Sequence, residues 1–261
     1  MLRGIYSSAS GMIAGAHAQR VVGNNLSNVN TPGYRAGATY LSPFARAFLA
    51  RTGTSISGPA PMAGNATPLG DVSLGTRVAE VSDSDEPGRL QSTGRATDMA
   101  IDGEGYFAVT TTEGVALTRA GNFRIDEDGQ LVDRAGHTVM GVGGDPVFVG
   151  SEAFSVDARG RVSVEGEITA QLALVRLPAD STLERGYDGL VRPRDLDAAA
   201  LLEAPWEGSE VVQGVLELSN VDLVREMTKM MTTFRAYGSN HSALKIQDEA
   251  LGDLIRVIEN L

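Results

Sequence analysis

The 261-residue sequence predicts an α+β protein in which helical N- and C-terminal segments pair with each other and flank a mainly β central domain. Apolar residues recur at steps of three and four near both ends, which is the period of an amphipathic helix. Short alternating runs separated by turn signals lie between these ends, as expected for β-strands. The 31 glycines and the low aromatic content of 5% also favour a turn-rich β domain.

The first predicted segment covers residues 1–36 and contains a helix over residues 2–30. Pro32 and Gly33 are expected to end this helix, because proline has no backbone N–H and both residues favour turns. The apolar positions step by three and four in two stretches that are slightly out of phase. They are Leu2, Ile5, Ala9, Met12 and Ala16, followed by Val22, Leu26 and Val29.

Glycine and asparagine are dense in this first segment. Gly11 and Gly15 form a small-xxx-small pattern, which favours close contact between two helix backbones. Asparagine tolerates turns and caps helix ends, because its side chain bonds to nearby backbone groups. The asparagines could therefore cap the helix or join neighbouring copies in a polar network. They are Asn24, Asn25, Asn28 and Asn30.

Residues 37–76 are predicted to form an extended arm or linker. Residues 51–70 read RTGTSISGPAPMAGNATPLG and contain no periodic apolar face. Segments rich in glycine, proline and small polar residues are typical of linkers.

Residues 77–215 are predicted to form a β-rich outer domain. The runs RVAEVS, GYFAVTT and FSVDARGRVSV alternate apolar and polar residues. Asp128-Gly129 and Arg159-Gly160 lie between alternating flanks, which indicates hairpin turns. The acidic residues 126–128 resemble a calcium loop only superficially, because the regularly spaced oxygen ligands and the closing glutamate are absent.

Residues 216–261 are predicted to form a C-terminal coiled-coil helix that starts near Leu218. Ser219 is expected to cap it, with Asp222 in the first turn. Steps of four and three continue over five heptads, which is typical of a coiled-coil seam. Lys229 lies off this seam. The seam positions are Leu223, Met227, Met230, Phe234, Tyr237, His241, Leu244, Asp248, Leu251, Ile255 and Ile258.

The net charge of −11 is unevenly distributed along the chain. Residues 1–70 contain five arginines and no acidic residue, so the remainder is strongly acidic. An acidic body argues against nucleic acid as a partner. The basic N-terminal region, residues 1–70, could be an interaction arm, or simply a helix and linker that lack acidic residues.

Membrane and secretion signals are weak in this sequence. No apolar run approaches the roughly 20 residues that span a bilayer. Ser7, Ser8, Ser10 and His17 interrupt the N-terminal segment, so we expect no cleavable signal peptide. Cysteine is absent, which excludes disulfides, thiol catalysis and cysteine metal sites.

The sequence offers no catalytic or ligand-binding motif. His17, His137 and His241 lie far apart and lack the spacing of metal ligands. Nucleotide-binding loops and hydrolase nucleophile elbows are absent. The acidic group at residues 83–86 is better explained by surface solvation than by acid–base catalysis. We therefore predict a non-enzymatic protein with no cofactor, metal or small-molecule substrate.

Several motifs resemble the signatures of bacterial flagellar rod and hook axial proteins. They are SASGM at residues 8–12, NNLSNVNTPGY at 24–34, TDMAIDGEGYF at 97–107, TRAGNF at 118–123 and QGVLELSNVD at 213–222. The resemblance covers nearly the whole chain except residues 38–75. The opening MLRGIY is most similar to FlgF-type proximal rod proteins of the basal body, with the FlgG-type distal rod proteins next.

This resemblance implies a structural subunit of the flagellar basal-body rod. The terminal helices would form the inner tube of a helical polymer that transmits torque from motor to hook, with the β domain outside. The implied partners are further copies, other rod and hook proteins, and the flagellar type III export apparatus. Export by that route implies a location in the cell envelope without a cleaved signal peptide.

The assembly interface is predicted from the helical stripes and the asparagine-rich turn. Two other classes of protein are alternatives. A secreted surface-binding β protein with a coiled-coil stalk requires a cleaved signal, and an enzyme acting on wall polysaccharide requires a carboxylate pair in a groove. The predicted interface residues are Leu2, Ile5, Met12, Asn24, Asn25, Leu26, Asn28, Val29, Leu223, Met227, Met230, Phe234, Tyr237, Leu244, Leu251, Ile255 and Ile258.

Overall fold

A computed structural model describes ten stretches of the chain, and within them it forms two long helices and nineteen strands. The described stretches are residues 2–43, 46–52, 66–73, 75–84, 86–151, 153–177, 183–186, 189–193, 202 and 208–259. The helices are α1 (Leu2–Ser27) and α2 (Leu223–Glu259). The strands are β1 (Gly37–Pro43), β2 (Arg46–Thr52), β3 (Ala66–Ser73), β4 (Thr76–Asp83), β5 (Leu90–Ser92), β6 (Met99–Asp102), β7 (Tyr106–Thr111), β8 (Gly114–Thr118), β9 (Arg124–Ile125), β10 (Leu131–Val132), β11 (Thr138–Val139), β12 (Phe154–Val156), β13 (Arg161–Val164), β14 (Glu167–Gln171), β15 (Leu174–Val175), β16 (Leu183–Arg185), β17 (Val191–Pro193), β18 (Glu210–Gln213) and β19 (Val215–Glu217).

The chain folds into two compact units, each assembled from segments distant in sequence. The helix–ribbon unit contains the described parts of Met1–Ser27, Gly37–Ser84 and Asp222–Leu261. The β body contains the described parts of Asn28–Ala36 and Asp85–Val221. Paired terminal helices and a mainly β central region confirm the predicted α+β class.

The two helices pack antiparallel in the helix–ribbon unit. Gly4 near the start of α1 faces Gln247 near the end of α2. At the other end of the pair, Asn25 bonds to Glu226 in the first turn of α2. The contact between α1 and α2 therefore extends along almost the full length of α1.

Except for Gly75, the described residues between 37 and 76 belong to strands β1–β4, in a region where the sequence predicted an extended arm or linker. β1 pairs antiparallel with β4, and β2 pairs antiparallel with β3, so the second pair lies between the strands of the first along the chain. We call these two strand pairs the ribbon. Composition suggested a linker because it reports only local tendencies. Each strand pairs with a segment elsewhere in the sequence, as Gly37 does with Asp83, and composition does not reveal such pairing. The stretch richest in glycine and proline, residues 53–65, lies outside the described residues.

Both helices are shorter than the sequence indicated. α1 ends at Ser27, three residues before the predicted end. α2 begins at Leu223, because Asp222 caps it by accepting a hydrogen bond from Arg225 N at 3.0 Å. The preceding residues Val215–Glu217 form β19 instead and pair with β5. Residues 216–221 therefore belong to the β body.

The β body is built on a sheet of eight strands with smaller sheets beside it. The strand order is β16-β17-β8-β7-β11-β10-β9, and β15 also pairs with β7. The smaller sheets are β12-β13-β14, β18-β6 and β19-β5. Its core contains the fully buried Met99, Phe107 and Leu131, and Phe107 packs edge-to-face on Phe123 at 5.2 Å between ring centroids.

Three hairpin turns of the β body share the pattern Asp-x-x-Gly-x. In each turn one aspartate oxygen accepts hydrogen bonds from the backbone N–H groups two and four residues later. This geometry confirms the hairpins predicted at Asp128-Gly129 and Arg159-Gly160, and explains the superficial likeness to a calcium loop. The turns begin at Asp126, Asp133 and Asp157 and place Gly129, Gly136 and Gly160 at positive φ.

Candidate assembly surface and the buried motif cluster

Motifs from opposite ends of the sequence meet inside the β body. Gly33 N donates to Glu217 O at 2.8 Å, and Asn220 N donates to Tyr34 O at 3.3 Å. The side chain of Asn220 completes the contact, because its Oδ1 accepts a hydrogen bond from Ala36 N at 2.7 Å. The NTPGY and ELSN motifs are thus bound to each other mainly through backbone groups.

Glycine is required at position 33 for two reasons. Its φ of 67° lies in the left-handed region, which side chains with a Cβ rarely adopt. A Cβ at Gly33 would also overlap the backbone of Arg119 and Ala120. The sequence marked Gly33 only as the end of a helix, whereas the structure uses it for close backbone approach.

The carboxylate of Glu217 lies at the centre of this motif cluster. Its side chain is 2% exposed and faces two arginines. Glu217 Oε2 lies 3.3 Å from Arg119 Nη1, and Oε1 lies 4.0 Å from Arg35 Nη2. Oε1 also accepts a hydrogen bond from Gly88 N at 3.0 Å. One buried anion therefore holds together four separate segments of the β body.

Arg119 is bound on several sides. Nη1 donates to Ile101 O at 3.3 Å, and Nη2 donates to Gly103 O at 2.7 Å. The guanidinium also lies over the Tyr106 ring, 5.4 Å from its centroid. Burial lowers the pKa of Arg119 from its ordinary value, while the Glu217 carboxylate acts in the opposite direction. These contacts fix the side chain within the protein, which indicates a structural role.

Asn25 occupies an internal position in the helix–ribbon unit and is only 1% exposed. Its Nδ2 donates to Gly37 O at 2.9 Å and its Oδ1 accepts from Gly37 N at 2.9 Å. Nδ2 also lies 3.1 Å from Oε2 of the buried Glu226, whose other oxygen contacts Lys229 Nζ. Asn25, which the sequence predicted as part of the assembly interface, thus joins α1 to the ribbon and to α2 within the subunit.

Small and polar residues line the contact between the two helices. The amides of Gln247 and Asn240 fill the space that a Cβ would take at Gly4 and Gly11. Asn240 and Gln247, which lie seven residues apart, are polar and fall outside the predicted, mostly apolar seam, although the seam residue Tyr237 does face Gly15. The difference arises because glycines on α1 admit amide groups that a coiled-coil pattern would exclude.

The most apolar positions of α2 are exposed in the subunit. Leu223, Met227 and Phe234 are 47%, 53% and 69% exposed, and Val224 and Met231 lie beside them. Because successive residues are about 100° apart, these five side chains lie within roughly 100° of one another around the helix and form one surface, which we call the α2 line.

The predicted interface residues fall into several groups. Those exposed are Asn24, Leu223, Met227, Phe234 and Ile255. Those half-buried are Ile5, Met12, Leu26, Asn28, Val29, Met230, Tyr237, Leu244 and Leu251. The side chains of Leu2 and Ile258 lie outside the described part of the structure. Sequence reasoning did not identify Tyr6 and Ile13, which are 69% and 72% exposed on α1.

The described residues contain no group of three or more histidine or acidic side chains that could hold a metal ion. In the same part of the chain, neither helix is long and apolar enough to cross a membrane. The exposed apolar residues on the antiparallel helix pair mark a candidate surface for contact with other protein chains.

Comparison with known proteins identifies the family. Residues 5–35 match the flagella basal body rod protein family, and residues 100–169 match the D1 domain of the flagellar hook protein FlgE/F/G family. Residues 212–257 match the C-terminal region of flagellar basal body rod FlgEFG proteins. The chain belongs to the flagellar basal-body rod protein family, whose members are structural proteins and not enzymes.

Relatives of two kinds match over nearly the full length. A FlgG basal-body rod protein of Bacillus subtilis is 33% identical, with 98% of this chain and 99% of the relative covered. The FlgG protein of Borreliella burgdorferi is 31% identical, with 97% of each chain covered. A FlgF protein of Rhizobium meliloti is 30% identical, with 100% and 98% covered. Relatives of both the FlgG type and the FlgF type therefore match the chain, with FlgG proteins the more numerous.

Proposed function

We propose that this rod subunit polymerises helically with further copies and with other rod and hook proteins, and that the polymer transmits torque. The observation that carries the proposal is the exposed apolar surface on a helix pair. Phe234 and Ile13 are 69% and 72% exposed, although their burial would contribute about 1.5–3 kcal/mol each. Contact with neighbouring subunits would supply that burial.

The weakness of the contact inside the subunit supports the same proposal. Gly4, Gly11 and Gly15 each destabilise an isolated helix by about 1 kcal/mol relative to alanine. The space beside Gly4 and Gly11 is filled by the polar amides of Gln247 and Asn240, and only Gly15 of the three faces an aromatic residue, Tyr237. The helix pair is therefore expected to gain much of its stability on assembly.

We also propose export by the flagellar apparatus with the N-terminal segment retained. α1 begins at Leu2, and Gly4 already faces Gln247 of α2, so the first helical turn takes part in the helix pair. Cleavage within α1 would remove residues that face α2.

Isolated hook–basal bodies test these proposals. We expect the chain in purified basal bodies, with an intact mass that corresponds to the full sequence apart from possible loss of Met1. Gold labelling of a tagged chain would place it in the proximal rod if it is FlgF-type or in the distal rod if it is FlgG-type. Absence from basal bodies would contradict the rod function, and a chain starting beyond residue 15 would contradict retention of the N-terminal segment.

A further inference from the structure

Exposed residues on the two helices share one spacing. On α1, Tyr6, Ile13 and Arg20 follow each other at seven-residue steps and are all exposed. On α2, Met227 and Phe234 are likewise seven residues apart and exposed. Seven residues make almost two helical turns, so each set lies along one side of its helix. We call Tyr6, Ile13 and Arg20 the α1 line.

The α1 line points away from α2 of the same subunit. The side of α1 that faces α2 carries Gly4, Gly11 and Asn25. Ile13 lies about half a turn around the helix from Gly11, because successive residues are about 100° apart. Residues of another molecule are therefore needed to cover the α1 line.

We propose that the α1 line of one copy packs antiparallel against the α2 line of the next copy, with Tyr6 beside Phe234 and Ile13 beside Met227. This inference rests on the proposed rod function, in which all copies point the same way along the polymer. The register joins two aromatic side chains and two flexible aliphatic ones, which are favourable pairs in an apolar contact.

Charge complementarity supports this register. When Ile13 lies beside Met227, Arg20 lies level with position 220, just before the N-terminus of the neighbouring α2. Asp222, which caps that helix, is exposed there. α1 contains no acidic residue, so no group on its own helix neutralises Arg20. An ion pair at the rim of the contact would favour this register over shifted ones.

The register also fixes how far neighbouring copies are displaced. Within one subunit, Gly11 lies level with Asn240, which places Ile13 level with Gly238. The proposed contact places Ile13 level with Met227, about eleven residues nearer the N-terminus of α2, which is a stagger of about 16 Å at 1.5 Å per residue. Because two different surfaces meet, the contact is heterologous and generates an open helical polymer.

Disulfide cross-linking between copies tests the pairing, since the natural chain contains no cysteine. Ile13→Cys and Met227→Cys chains, each with its own tag, would be produced together in cells that lack the unsubstituted chain. Basal bodies would then be isolated and oxidised. We expect disulfide-linked dimers that carry both tags, at least about ten-fold above a control pair, because a disulfide requires Cα atoms within about 7 Å.

The control pair is Ile13→Cys with Thr232→Cys, because Thr232 is exposed on the other side of α2. Tyr6→Cys with Phe234→Cys tests the same register independently. Basal bodies that contain these variants without either cross-link would overturn the pairing and leave the rod function intact. Exclusion of all four variants would also count against it, since cysteine is tolerated in apolar contacts. If even the unsubstituted chain is absent from basal bodies, the rod function fails, and the pairing fails with it.

Discussion

Glu217→Gln is expected to destabilise the β body by about 3–5 kcal/mol, because it removes the buried carboxylate that faces two arginines. The amide keeps the size of the side chain and can still accept a hydrogen bond from Gly88 N. It cannot neutralise Arg119 or Arg35, whose guanidinium groups face the carboxylate. Such a loss corresponds to a fall in melting temperature of roughly 6–20 °C for a unit of this size.

Glu210→Gln provides the matched control for this variant. Glu210 lies on β18, close in sequence to Glu217, but is exposed. The same chemical change there is expected to alter the free energy of unfolding by less than about 0.5 kcal/mol. Thermal or urea unfolding of both purified variants gives the comparison. Equal stabilities would mean that the buried charge cluster does not hold the motif segments together.

Phe234→Asp is expected to abolish incorporation into the rod while leaving the soluble subunit folded. Phe234 is 69% exposed, so its replacement removes little packing within the subunit. In an assembled contact the variant would lose about 1.5–3 kcal/mol of burial and would add an unpaired carboxylate. The two effects together correspond to at least about a 100-fold weaker contact between subunits. Motility and recovery of the chain in basal bodies measure the outcome.

Thr232→Asp introduces the same charge two residues away, where the side chain is exposed but lies outside the α2 line. It is expected to retain incorporation and motility. Lys229 is a poor control although it lies off the predicted seam, because its Nζ contacts the buried Glu226. Normal assembly of Phe234→Asp would show that the α2 line is not buried between subunits.

Periodicity in the sequence was sufficient to predict the two helices and the β centre, because each pattern matches its element over many residues. The ribbon was missed because its pairing spans residues far apart, such as Gly37 and Asp83, and composition reports only local tendency. The start of α2 was misplaced for a similar reason. Leu218 fits a helical period, but its N–H donates to Arg89 O in the β body.

The candidate surface was predicted in part. Leu223, Met227 and Phe234 were identified from their spacing, and the structure exposes them. Spacing alone could not show which side of α2 faces α1, because polar residues such as Asn240 occupy the inner contact. The cluster around Glu217 was also missed, since an isolated glutamate in a strand carries no sign of the arginines that approach it from distant segments.

Cryo-electron microscopy of polymers formed by the purified chain tests the central claim most directly. We expect helical rods in which α1 and α2 of adjacent copies contact each other, with Phe234 and Ile13 buried between subunits. In the single subunit these two side chains are 69% and 72% exposed, and their exposure in the rods is compared with these values. A chain that stays monomeric under conditions in which related rod proteins polymerise would contradict the account, as would rods joined only through their β bodies.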